Sequence, residues 1–363
     1  MRLESFDLYR YRLPLTSPLK LKGATLDHRE GLLLRLASDD GSEGWGETAP
    51  LAGFSREGLE EAATPLRGLA GVMMDLEATG DWIDPEGALA SELDRLDAAP
   101  SVRFGLELAL WNLYAASTGT TLPGLISYRP RPTVPVNGLL SGTPEDILGE
   151  SRRMRNAGYS CVKVKVGGRA VAEDVRLVRA LGEELGDAVS LRLDANRAWA
   201  FEEAAEFVRA VAGVRFEYVE EPLADSARLP ELVERFGVPV ALDESLVGLE
   251  PHALEEHRYA RAVVLKPTLL GGISLTLRLA SRALRLGMTP VVSSAYEGGV
   301  GTAALVALAA GIGARAVPAG LDTYSRLAAD VLVSPLGLPA PNVRVREVID
   351  ASREIDVLRL EEI

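Results

Sequence analysis

From Thr133 onward the chain alternates strand-like and helix-like segments, and this alternation constrains its fold more than any other feature. Short β-branched and apolar runs at 133–137, 161–166, 190–194, 216–220, 240–243, 262–266, 289–293 and 314–317 read as strands. Amphipathic segments such as 172–185, 202–212 and 274–286 separate them. Eight strands, most followed by a helix, is the count that closes a parallel TIM-type (β/α) barrel. The 363 residues exceed one ordinary domain but accommodate such a barrel, about 250 residues, plus a smaller unit.

That smaller unit precedes the barrel. Strand patterns at 3–13, 31–37 and 44–48 lead into helical patterns at 56–78, 86–96 and 101–118, an α+β order. Two irregular polar segments, 16–30 and 49–55, read as long loops of the kind that cover binding sites. The expected organisation is therefore an α/β chain. Residues 1–120 form an N-terminal α+β capping domain with lid loops, and 121–323 form the barrel with the catalytic site. Residues 324–363 pack back on the cap.

Lysine usage singles out one strand. Only five lysines (Lys20, Lys22, Lys163, Lys165, Lys266) stand against 34 arginines. Within Val-Lys-Val-Lys-Val-Gly-Gly (162–168), the period of two places Lys163 and Lys165 on one face. Arginine stays protonated near neutral pH, whereas a lysine amine can lose its proton in a suitable environment. Lysines at strand ends in an arginine-rich chain therefore mark positions that call for an amine able to cycle.

Barrel active sites lie where the strands end. Those ends carry Lys163 and Lys165, Asp194, Glu220 with Glu221, Asp243 with Glu244, and Lys266. The intervals 165→194→220→243→266 are 29, 26, 23 and 23 residues, each about one strand–helix unit. These side chains should converge on one mouth, with Lys165 and Lys266 facing each other from the second and sixth strands. A carboxylate from each of three consecutive strands is an oxygen-only donor set suited to a hard cation such as Mg²⁺. Mutual ion pairing alone is a poor reason for the cluster, since burying charge costs several kcal/mol per ion.

The motifs Lys163-Val-Lys165, Leu193-Asp194-Ala195-Asn196, Glu220-Glu221-Pro222, Asp243-Glu244-Ser245 and Leu265-Lys266-Pro267-Thr268 resemble those of the enolase superfamily, in its muconate-lactonizing-enzyme-like branch. Within that branch the likeness is to the o-succinylbenzoate synthase family of menaquinone biosynthesis. It extends through Arg29-Glu30-Gly31-Leu32, Gly44-Trp45-Gly46-Glu47, 50–55, 100–105, 192–199 and Gly320-Leu321-Asp322-Thr323. It departs at Ser293-Ser294-Ala295-Tyr296-Glu297-Gly298-Gly299, which is richer in glycine than the family's serine-rich run.

The resemblance implies a lyase that loses water from a cyclohexadiene carboxylate by metal-dependent removal of the proton α to the carboxylate. Asp194, Glu220 and Asp243 would be the metal ligands for Mg²⁺, with Mn²⁺ a substitute. Lys165 would be the base, Lys266 the cation on the opposite side, and Lys163 a like charge lowering the pKa of Lys165. Asn196, Glu221 and Glu244 would support the ligands from behind. Arg192, Ser293, Ser294 and Gly320 would contact the substrate, and 16–30 with 49–55 would form the lid.

Three other functions fit parts of this pattern. Two lysines flanking an α-carbon also suit a racemase of N-succinylamino acids or a dipeptide epimerase. A Schiff-base aldolase would use Lys165 or Lys266 as nucleophile but leaves the three carboxylates unexplained. A non-enzymatic descendant would have lost catalytic positions, and none is lost. The net charge of −13 argues against nucleic-acid or anionic-membrane partners, leaving a small-molecule carboxylate as the expected one. Cys161 alone, with no apolar signal-like run after Met1, fits a cytoplasmic protein. Cys161 is expected to be packed, the four tryptophans to serve the core, and His28, His252 and His257 to be solvated or capping.

Overall fold

The computed structural model describes residues 2–21, 23–74, 79–95 and 97–363, with the side chains at 72, 92 and 94 excepted. The chain opens with β1 (Leu3–Leu21), β2 (Ala24–Ser38) and β3 (Glu43–Thr48), which form an antiparallel sheet. The segment expected as a loop at 16–30 is instead the far end of the β1–β2 hairpin. Its pairing slips between Pro14↔His28 and Leu19↔Leu26 and resumes through Leu21↔Ala24. Pro14 and Pro18 interrupt the alternation that would have marked a strand, because proline cannot donate to the ladder. Lys22 lies outside the described residues.

Helices α1 (Leu59–Met73), α2 (Ala88–Arg95) and α3 (Pro100–Ser117) follow. The expected helical stretches to 78 and 96 end in residues outside those described. Helix α3 is apolar on nearly every face and is buried. It packs so closely on β3 that a Cβ at Gly46 would lie 1.9 Å from the Gly105 carbonyl oxygen. A short α4 (Leu122–Ile126) leads to β4 (Thr133–Pro135).

The barrel staves are β5 (Gly138–Leu140), β6 (Cys161–Lys165), β7 (Ser190–Asp194), β8 (Tyr218–Glu220), β9 (Val240–Leu242), β10 (Ala262–Leu265) and β11 (Thr289–Val292), all parallel and paired in sequence order. Between them run α5 (Pro144–Asn156), α6 (Val171–Leu185), α7 (Phe201–Ala210), α8 (Leu229–Phe236), α9 (Pro267–Leu270) and α10 (Gly272–Arg285), and α11 (Gly299–Gly311) follows β11. The curled sheet is joined edge to edge by Ala319 and Gly320, which bridge Val136 on one side and Ser293 on the other. The eighth stave is thus two residues, not the run expected at 314–317. Pro318 lacks the N–H that an earlier start would need, and the first ladder bonds come from the amides of Ala319 and Gly320. The strand expected at 133–137 is instead β4, which pairs antiparallel with β12 (Asn342–Arg344), followed by Val136 bridging Ala319; the stave that pairs with β6 is β5, just beyond the expected run. After β12 come α12 (Val345–Ala351) and β13 (Glu361–Glu362), which pairs with β1 at Tyr9 and Arg10.

The stave alternation sorts the core. Val162, Val164, Leu191, Leu193, Val219, Leu242 and Leu265 face outward into the helix layer. Tyr218, Ala241, Ala262, Val264 and Val291 fill the lower interior. One pleat higher, the inward positions become Lys165, Asp194, Glu220, Asp243 and Lys266. Among the described residues no helix is long and apolar enough to cross a membrane.

Candidate active site

Register sets the height of each side chain. Lys165, Asp194 and Glu220 are direct partners across β6, β7 and β8, so they reach the barrel mouth at one level. Asp194, Glu220 and Asp243 are 4%, 0% and 4% exposed, carboxylates that need positive charge in place of the water they have lost. Lys163 supplies part of it, with Nζ 2.8 Å from Asp194 Oδ2 and 2.9 and 2.8 Å from the two oxygens of Glu220. Lys266 donates to Asp243 from the opposite side. Lys165 is exposed at the rim.

The electrostatics follow from this packing. Burial and the neighbouring charges of Asp194 and Asp243 push Glu220 well above the usual carboxylate range. Burial also opposes ionisation of Asp194, but Lys163, Lys165 and Lys266 outweigh it and hold its pKa low. Burial disfavours the charge on Lys163, yet Asp194 and Glu220 keep its pKa well above normal. The same balance, with Asp243 and Glu220 as partners, raises Lys266. The positive charge of Lys163 is therefore balanced by two carboxylates.

The donor chemistry fits a divalent cation. The three carboxylates are oxygen-only, buried and mutually repelling. Next to Asp243, Glu244 Oε2 is buried without a hydrogen-bond partner, and burial with the charge of Asp243 raises this carboxyl's pKa. Among the described residues no three acidic, imidazole or thiol groups already surround a common point, and lysine ammoniums lie on all three carboxylates.

Adjacent residues of the acidic pairs point to different partners. Glu221, at φ 40°, turns away from the mouth. Its Oε1 accepts from the amides of Asp243 (2.9 Å) and Ser245 (2.7 Å), and its Oε2 from Arg197 (3.1 Å). It thereby fixes the backbone that carries Asp243. Asn196, at φ 44°, donates its amide to Asp194 (3.1 Å) and its side chain to Glu244 (3.4 Å).

The cavity beside the lysines is lined by Lys163, Lys165, Asp194, Asn196 and Lys266, by Ser293, Ser294 and Gly320, and by Leu21, Leu51 and Phe54 from the cap. The end of β1 at Leu21 and the 49–55 segment therefore both reach the mouth. Arg29 locks them there, donating to the carbonyls of Ala49 (2.9 Å), Pro50 (3.0 Å) and Tyr296 (3.0 Å). Ser294 Oγ is committed to Glu297 (2.6 Å), whereas among the described residues Ser293 Oγ makes only a long bond to the Gly320 carbonyl (3.4 Å).

Arg192 is not part of this lining. It lies two residues below Asp194, roughly 6.6 Å down the stave. There it donates to Glu217 (2.7 Å), Asn137 (3.2 Å) and the Pro318 carbonyl (2.7 Å), and it reaches the cavity only through Asn137. The sequence reading placed Arg192 on the correct face but too high.

Asn137, Leu139, Tyr296, Asp322 and Thr323 also line the cavity and were not assigned roles from sequence. The glycine-rich run after β11 has a direct cause. Glu47, from the cap, accepts from the amides of Gly298 (2.5 Å) and Gly301 (2.7 Å), and Asp330 from Gly299 (2.9 Å). A Cβ at Gly299 would stand 2.2 Å from Asp330 Oδ2. Cys161 and Trp199 are buried, while His28 bonds to Arg12 and Asp27 away from the mouth.

Two family profiles match the chain: "Enolase C-terminal domain-like" over residues 146–348 and "MenC, N-terminal domain" over residues 3–113. The o-succinylbenzoate synthase of Klebsiella pneumoniae is 34% identical over 329 residues, covering 90% of this chain and 92% of that protein. That of Escherichia coli is 34% identical over 347 residues, covering 94% and 98%. Protein PHYLLO, chloroplastic, of Arabidopsis thaliana is 32% identical across 92% of the chain, which spans 22% of that longer protein. Among solved structures, the L-Ala-D/L-Glu epimerase of Bacillus subtilis superposes with a TM-score of 0.83 at 24% identity, covering 95% of this chain and 96% of that one. The dipeptide epimerase of Enterococcus faecalis V583, complexed with Mg and L-Leu-L-Tyr, gives 0.84 at 20% identity, covering 95% and 97%. These two share the fold.

Proposed function

The chain belongs to the enolase superfamily and, within it, to the o-succinylbenzoate synthase family, and from that premise we propose how its residues divide the reaction. The enzyme is a lyase that removes water from 2-succinyl-6-hydroxy-2,4-cyclohexadiene-1-carboxylate, leaving 2-succinylbenzoate. Residues 1–120 serve as the cap, 121–323 as the catalytic barrel and 324–363 as the segment returning to the cap.

Lys165 Nζ, as the free amine, takes the proton α to the substrate carboxylate. The bonding pair of that C–H moves into the carboxylate, giving an enediolate with two negative charges. Lys266, held as a cation by its carboxylate neighbours, faces this charge from the opposite stave. Lys165 then returns its proton to the departing hydroxyl on the same face. The C–O bond breaks, water leaves, and the electron pair completes the aromatic ring. Asp194, Glu220 and Asp243 hold a divalent cation, Mg²⁺ with Mn²⁺ as substitute. When bound, it supplies Lewis-acid stabilisation of the charge growing on the carboxylate. Lys163 orients Asp194 and Glu220, while Glu221, Asn196 and Glu244 fix the ligands from behind. Ser293 and Gly320 face the succinyl arm under the hairpin tip and Phe54. Ser294 shapes that wall, and Arg192 steadies it through Asn137.

The observation that carries this reading is the pairing of amines on opposite staves, Lys165 beside Asp194 and Lys266 on Asp243, around three buried carboxylates. The same amines would serve racemisation of N-succinylamino acids. Incubation of the cyclohexadiene carboxylate with Mg²⁺ should give the aromatic product by ultraviolet absorbance. No product, together with α-deuterium exchange and inversion of an N-succinylamino acid, would assign racemisation instead.

A further inference from the structure

A second concavity lies away from the mouth. A cleft of about 790 Å³ opens at the foot of the barrel, where the staves begin; of the residues given a role in the reaction it touches Arg192, which does not line the mouth. That volume falls within the range of ordinary ligand pockets, roughly 300–1,000 Å³. Its charged lining is dominated by arginine: Arg192, Arg215, Arg261 and Arg315, against Asp187 and Glu217.

Pairing decides what charge is left over. Arg192 is matched by Glu217 at 2.7 Å and Arg215 by Asp187 at 3.0 Å. Both acids of the cleft are thereby used. Arg261 and Arg315 have no side-chain partner among the described residues, so the cleft carries uncompensated positive charge on a chain whose net charge is −13.

Both arginines also spring from fixed backbone. The Arg261 amide donates to Val240 (2.8 Å), and its carbonyl accepts from Thr289 (3.0 Å). Arg315 sits on a turn clasped by Arg131, which donates to the carbonyls of Ile312 (2.5 Å), Gly313 (2.7 Å) and Arg315 itself (2.9 Å). Both side chains are exposed to solvent, and the planar fork of a guanidinium can pair two N–H groups with the oxygens of a phosphate or carboxylate. Beside them, Leu284, Met288 and Ile312 give the cleft an apolar wall.

We propose that this cleft is a second ligand site, separate from the catalytic mouth, for an organic phosphate. Arg261 and Arg315 hold the phosphate groups, and the apolar wall receives an uncharged body. The test is isothermal titration calorimetry on metal-free protein in EDTA, with ADP and inorganic pyrophosphate as probes. ADP should bind at one site, several-fold more tightly than pyrophosphate. The Arg261→Ser/Arg315→Ser protein should bind ADP at least tenfold more weakly while keeping wild-type turnover, and Lys165→Ala should bind it as wild type does. No ADP binding, or ADP binding untouched by the double substitution, overturns the proposal. Equal affinity for pyrophosphate overturns the organic body. None of these results bears on the dehydration.

Discussion

Lys165 and Lys266 carry the same functional group in different surroundings. Lys266 is pinned to Asp243 with its pKa raised, whereas Lys165 stands at the rim. A general base is worth roughly 10²–10⁴ in rate. Lys165→Ala should therefore abolish measurable turnover without changing circular dichroism or melting temperature; near-wild-type activity would remove it from the reaction. Lys266→Arg keeps the charge but exchanges a compact ammonium for a planar fork, and turnover should fall at least ~100-fold. Glu220 and Glu221 make a similar contrast between neighbours. Glu220→Gln should weaken Mg²⁺ binding by at least ~10-fold in calorimetry. Glu221→Gln should chiefly lower thermal stability, by roughly 2 kcal/mol, because the amide nitrogen cannot accept from Arg197 and the Ser245 hydroxyl as Oε2 does. If the two effects were exchanged, the ligand would be Glu221. This division between Glu220 and Glu221 was open to sequence reading only through family likeness, because a pair of adjacent acids at a stave's end does not say which one turns inward.

At the scale of elements, the cap and the barrel meet through buried carboxylates. Glu47 of β3 accepts from Tyr11 Oη (2.6 Å) as well as from the start of α11. Burial pushes its carboxyl up to about 7 from an ordinary 4.5. Between those values the folded chain holds a proton that the unfolded chain has lost. Stability from this group is thus full below pH 4.5 and drains as pH rises to about 7, by up to roughly 3 kcal/mol. Glu47→Gln should gain in melting temperature over wild type from pH 5 to pH 8; a constant difference would show that the carboxyl titrates normally. A second joint is steric. Gly46→Ala drives a methyl into the Gly105 carbonyl and should cost about 3 kcal/mol in thermal unfolding, the upper end for overpacking. The staves from β6 to β11 were legible in sequence because alternation and burial agree there. The hairpin arm was not, because Pro14 and Pro18 hide its ladder, and neither was the two-residue closing stave, whose identity depends on partners at Val136 and Ser293.

On the scale of the whole molecule, the barrel interior is stratified, apolar below except for Arg192 and charged above, and the cap closes over the charged end. The intervals between strand-end acids and lysines made that stratification readable before any coordinates. The depth of Arg192 was not readable, because one strand face contains both levels. Such a mouth is costly to keep free of cations. A ligand that binds only the folded chain stabilises it by about 2.7 kcal/mol at a hundred times its dissociation constant. Saturating Mg²⁺ should accordingly raise the melting temperature of the wild type more than that of Glu220→Gln, and EDTA should stop turnover reversibly. A melting temperature indifferent to Mg²⁺ would argue against cation binding at these carboxylates.

The pairing of β13 with β1 sets an order of assembly. The sheet begun at Tyr9 and Arg10 receives its outer strand from Glu361 and Glu362, after every stave has been made. On the ribosome, the cap therefore waits with a bare edge for the whole length of barrel synthesis. A product stalled short of those residues would present that edge to its neighbours and be a template for aggregation.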